Sequence, residues 1–182
     1  MKLATPRLDP IQPEDWTDDI KKTLQPNVEK GTVFNIFKTL SHHPDLFRRW
    51  LVFGNHVLFK STLPPREREL IILRIGWLCE AEYEWAQHVL IGKEAGLTAE
   101  EIDRIKAGPN ARGWSEADKL LLQATDELRK DAFITDSTWN GLCQHFDKRQ
   151  LMDVVFAVGQ YNLVSMALNT LGVQLDDGLE GF

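Results

Sequence analysis

Prolines and glycines divide this chain into segments whose apolar residues recur every three or four positions. No stretch alternates in twos, and no Asn-Gly hairpin signal is present. Three-and-four spacing puts one side of a helix against a core, so an all-α fold is predicted. Pro6, Pro10 and Pro13 make residues 1–12 an extended arm, and residues 13–182 a single helical domain. Pro13-Glu14-Asp15-Trp16 opens a short helix, with acids in its first turn, that is expected to stop before Pro26. Thr32 begins a second, carrying Val33, Phe34, Ile36, Phe37 and Leu40, and ending at His43-Pro44. Asp45 to Lys60 follows as a third helix.

Leu63-Pro64-Pro65 is a hard break, and Arg66-Glu67-Arg68-Glu69 starts a new helix. Its continuation, Leu70 to Leu78, is apolar on nearly every side, as in a helix buried around most of its circumference. A helix over about Ala81 to Ala95 ends at Gly96. Thr98-Ala99-Glu100-Glu101 is a capping box for the next. After the loop from Gly108 to Gly113, Ser115 caps a helix with a stripe of Ala117, Leu120, Leu121, Ala124 and Leu128. A short helix over about 137–146 precedes a long one, capped by Asp147 and running to Leu171 and Gly172. Seven to nine helices are expected. The last is apolar around most of its circumference, which a small monomer cannot easily bury, so a homo-oligomer is predicted ahead of a wrapped core helix.

Twenty-one Lys+Arg against 27 Asp+Glu leave a net charge of −6, with no basic block to attract nucleic acid or an anionic membrane. The longest unbroken apolar run is Val154 to Val158, far short of the roughly 20 residues of a membrane span. The first residues lack the apolar core of a secretory signal, and a soluble cytoplasmic protein is expected. Cys79 and Cys143 lie too far apart for a local redox pair or zinc knuckle. No phosphate cradle or dinucleotide fingerprint occurs, and no cofactor or metal is expected.

The densest chemical signal is Glu80-Ala81-Glu82-Tyr83-Glu84-Trp85-Ala86-Gln87-His88. On a helix, Glu84 and His88 share a face, and a carboxylate one turn before an imidazole orients it and favours its charged form. Such a pair suits proton transfer, although the same spacing often marks a solvated helix face. Tyr83 and Trp85 are candidate walls of a substrate pocket. Glu69 either lies near that pocket or complements the dipole of its first turn. Arg74, inside the apolar run, is a snorkelling residue, the partner of a distant acid, or the cation for a substrate carboxylate. His56 is a further candidate pocket member. Glu84 and His88 offer two metal ligands where a stable site wants three or four.

Leu63-Pro64-Pro65-Arg66-Glu67-Arg68-Glu69-Leu70, the run Ile71 to Leu78, Tyr83-Glu84-Trp85-x-x-His88 and Ala95-Gly96-Leu97-Thr98-x-x-Glu101-Ile102 resemble the carboxymuconolactone decarboxylase family. The match is specific over about residues 63–105. It implies the alkylhydroperoxidase-D-like helical fold and assembly as trimers or hexamers. The family's peroxidase branch carries a glutamate, a C-x-x-C pair and a histidine. Aligned on His88, the resemblance puts Glu69 at the glutamate, Ala81 and Glu84 at the two cysteines, and leaves Cys79 two residues too early. Neither alanine nor glutamate forms a sulfenic acid or disulfide, so thiol peroxidase activity is not expected. What remains is acid–base equipment. His88 would act as proton donor or acceptor, oriented by Glu84, with Glu69 as second relay, in a decarboxylation, lyase, hydrolytic or related proton transfer on a small organic acid or lactone. The alternatives are a non-catalytic oligomer that binds a small molecule or partner, and a residual antioxidant role through Cys79.

Overall fold

The computed structural model describes residues 3–29, 31 and 33–182. Among them are nine α-helices and no strand: α1 Asp18–Val28, α2 Asn35–Leu40, α3 Pro44–Phe59, α4 Pro65–Leu78, α5 Glu82–Glu94, α6 Ala99–Ala107, α7 Glu116–Asp131, α8 Asp136–Leu142 and α9 Lys148–Leu171. The expected all-α class holds. A 3-10 turn, Pro13–Asp15, precedes α1.

Three boundaries differ from expectation. The chain does not stay helical from Pro13 to Pro26; it leaves the 3-10 turn at Trp16 and restarts at Asp18, and α1 then runs through Pro26. Pro26 sits in the last turn, where one lost hydrogen bond is tolerable, and Gln25 still accepts from the Glu29 amide at 3.0 Å. Thr32, the expected start of the second helix, lies outside the described residues, and α2 begins only at Asn35, with extended Phe34 as its N-cap. Finally, α8 ends at Leu142 rather than 146, because the amides of Gln144 and His145 turn back three residues to Gly141 and Leu142.

The central element is α4, which packs against α5, α6, α7 and α9. Residues 68–76 of α4 are all buried, which explains a sequence apolar on every side. The main core joins Leu70, Ile72, Leu73 and Ile75 to Leu121 and Leu122 of α7 and Val154 and Val158 of α9. A smaller aromatic core holds α1, α2 and α3 together, with Phe47 ringed by Phe37 at 5.7 Å and Trp50 at 6.2 Å. By length and composition α9 could cross a membrane, but half of its apolar window is buried against its own chain. Residues of the N-terminal arm lie on the end of α9, where the Arg7 amide donates to Leu171 at 2.9 Å.

Helix α4 ends in a Schellman closure: the amide of Ala81 returns to Gly76 and that of Glu80 to Trp77, both at 2.9 Å. Glu80 takes the left-handed position, φ 49°, that glycine normally fills. This turn sends α5 back along α4. The two helices approach closely because Gly92 faces α4; a Cβ there would meet Leu97 at 3.1 Å and Leu73 at 3.3 Å.

Candidate active site

The α4–α5 hairpin brings three chemically active side chains together. Glu69 lies one turn inside α4, and Glu84 and His88 lie one turn apart on α5. His88 Nδ1 is 2.6 Å from Glu69 Oε2, and its Nε2 is 2.9 Å from Glu84 Oε1. All three are buried, Glu69 completely. Arg68 Nε donates to the other Glu69 oxygen, Oε1, at 3.0 Å. Tyr161 of α9 closes the group, its ring edge-on to the imidazole with centroids 4.9 Å apart.

The electrostatics follow from this order. Burial alone would lower the pKa of His88, but the charges of Glu84 and Glu69 outweigh it and push the value up to about 10. At neutral pH His88 is therefore an imidazolium that faces one carboxylate with each nitrogen. With Arg68, the four groups carry two positive and two negative charges and sum to zero, which is how buried charge is tolerated. Burial, followed by the same two carboxylates, holds the Tyr161 hydroxyl well above its usual pKa. One polar atom is left over. Glu84 Oε1 is close enough to His88 for an ion pair, but out of line for a hydrogen bond, and it is fully buried without one.

Other residues expected in the pocket lie elsewhere. Tyr83 and Trp85 flank Glu84 in sequence and so point about 100° to either side of it on the helix. The Tyr83 hydroxyl donates to Asp176 and accepts from the Ile36 amide at 3.3 Å, and it pins the C-terminal segment rather than walling a pocket around His88. Trp85 packs into the core against Trp77, 5.5 Å away, and Phe182. Arg74 is neither snorkelling nor free for a substrate carboxylate. Its guanidinium grips Asp126 of α7 at 2.6 and 2.8 Å and caps the carbonyls of Ile105 and Lys106 at the end of α6. His56 is exposed and lines a surface depression with Phe53 and Phe156 that includes none of the trio.

Arg68 and Tyr161 are the members that sequence reasoning missed. The signal for Arg68 was a basic residue beside an acid entering an apolar run, since a buried carboxylate demands a cation. Tyr161 carried none, being one apolar-stripe residue among many. Cys79 is half-buried, its thiol donating to Asn162 at 3.2 Å rather than to any member of the trio. Burial pushes that thiol up, which disfavours the thiolate a peroxidase needs. Three surface clefts among the described residues are lined by side chains other than Glu69, Glu84 and His88.

Residues 44–127, from α3 into α7, match the model of the Carboxymuconolactone decarboxylase family. A search of curated proteins gives no significant match. Among solved structures, a peroxidase-related protein of Ralstonia eutropha JMP134 with an alkylhydroperoxidase AhpD core is similar at TM-score 0.82 and 21% identity, covering 94% of this chain and 93% of that one. A peroxidase-related protein from Silicibacter sp. TM1040 gives 0.79 at 16% identity, over 97% and 92%. The debrominase Bmp8, as a cysteine-to-alanine variant in complex with 2,3,4-tribromopyrrole, gives 0.75 at 13% identity, over 97% and 95%. At these identities the likeness is one of fold.

Proposed function

Residues 44–127 belong to the carboxymuconolactone decarboxylase family, and from that premise we propose that this chain is a soluble, cytoplasmic, decarboxylase-like enzyme using carboxylate–imidazolium proton transfer. Its substrate class is a small organic acid or lactone. The observation that carries the reading is the buried relay of Glu69, His88 and Glu84, ending in a carboxylate oxygen with no hydrogen bond. A buried acceptor left open is costly, about 1–3 kcal/mol, and such groups gather where chemistry needs them.

The roles differ from those of a neutral histidine base. With His88 held as an imidazolium, Glu84 is the base: its open oxygen takes the proton from the carbon or hydroxyl beside the substrate carbonyl. His88 offsets the charge change on Glu84 through their ion pair. Glu69, fixed between Arg68 and His88, keeps the imidazolium in place. No step passes through sulfur, since alanine and glutamate stand where a thiol pair would be needed.

A second reading, a non-catalytic oligomer that binds a small molecule or partner, is favoured by the burial of all three side chains. Turnover requires an entry path to side chains that are no more than 5% exposed. One experiment separates the two. The purified protein is screened against lactones, oxoacids and peroxides, with Glu84→Gln, which preserves side-chain shape, beside it. The enzyme reading expects turnover of a lactone or oxoacid that falls at least about 100-fold in the variant, the scale of general base catalysis. Turnover that survives Glu84→Gln removes the assignment, and saturable binding without turnover selects the second reading.

A further inference from the structure

The outer face of α9 carries a second apolar stripe, separate from the one that packs inward. Met152, Val155, Phe156, Leu163 and Met166 are between 36 and 60% exposed. Together with exposed Gly159, the positions 152, 156, 159, 163 and 166 step by four and three, the 3.5-residue period of a seam between two helices. Gly159 stands at its centre, and a Cβ placed there would meet nothing within 4 Å. A solvent-facing glycine in mid-helix costs stability; it does allow another backbone to come close.

Most of the stripe is matched to itself. Reversed about Gly159, Met152 falls on Met166 and Val155 on Leu163, while Phe156 falls on Asn162. The charges agree. Between 152 and 166 the only carboxylate is Asp153, and its Oδ2 is occupied by the amide and hydroxyl of Thr62, each at 2.6 Å. Antiparallel pairing lays Lys148 and Arg149 beside the neutral Thr170 and Asn169 of the other helix, whereas parallel pairing would set like charges side by side.

We propose that two copies of this chain associate through antiparallel α9 helices about a two-fold axis at Gly159. The interface is isologous, each copy presenting the same stripe. It does not depend on the catalytic reading. It also sharpens the expected assembly, since a hexamer can contain such two-folds and a bare trimer cannot.

Cross-linking and mass test it, in a Cys143→Ser background to silence the exposed native thiol. Met152 and Met166 are about 21 Å apart along one helix. Met152→Cys alone and Met166→Cys alone should therefore give no interchain disulfide under mild oxidation. The double variant, and Gly159→Cys by itself, should give a covalent dimer. By light scattering the unmodified protein should contain an even number of subunits. Leu163→Glu should halve that mass while leaving far-UV circular dichroism unchanged. A monomeric or trimeric parent, disulfides in either single methionine variant, or an unaltered mass in Leu163→Glu would each overturn the proposal.

Discussion

His88 couples the protonation of one imidazole to the stability of the whole chain. Its folded pKa, about 10, stands above the ordinary value of 6.5 because Glu84 and Glu69 flank it. A group raised on folding contributes its full stabilisation below the unfolded value and loses it as pH climbs through the folded one. Stability supplied by His88 should thus be complete below about pH 6.5 and gone above about pH 10. Urea unfolding of the protein and of His88→Gln across this range should show a steeper alkaline decline in the parent. Equal slopes would mean that the imidazole is not held charged between the carboxylates. At this scale the sequence was partly legible. Helical spacing alone placed Glu84 beside His88. It could not place Tyr83 and Trp85, because consecutive helix positions diverge, and assigning both to one pocket ignored that rotation.

Among the elements, α4 depends on partners that no local pattern names. Arg74 reaches across to α6 and α7 through Asp126 and the carbonyls of Ile105 and Lys106. Its guanidinium lies against Gly108, where φ is +81° and a Cβ would come within 2.6 Å of Nη2. Gly108→Ala should therefore strain the backbone and dislodge Arg74 together, costing about 2–4 kcal/mol. Thermal unfolding should fall by roughly 6–12 °C for a chain of this size. A shift within 2 °C would show that Arg74 is not fixed by this packing. The caps were more legible than the pairings. Thr98, Ser115 and Asp147 all cap the helices their sequences announced, since a cap is settled within four residues. The path of α1 through Pro26 was not, because a proline near a helix end costs little and tertiary packing overrides it.

On the scale of the whole molecule, distant segments close over the α4–α5 hairpin. Asp176 accepts from Tyr83 and Gln87 of α5 and from the amide of Asn35, while Phe182 packs edge-on against Trp77. Asp176→Ala strands three donors at once. Residues beyond Gly172 should then become the first site of limited proteolysis, with a loss of about 1–3 kcal/mol in stability. An unchanged digestion pattern would mean that the segment is held by its apolar contacts alone.

Helical periodicity, proline breaks and caps act over a few residues, so the all-α class, most helix limits and the Glu84–His88 pair were readable from the chain alone. The partners of Arg74, the burial of Arg68 and Glu69, and the edge of Tyr161 against His88 join residues up to 73 positions apart, and only packing decides which distant charges meet. A buried ion must find its counter-ion in space. Sequence can say that such a partner is required, and the folded core determines which residue it is.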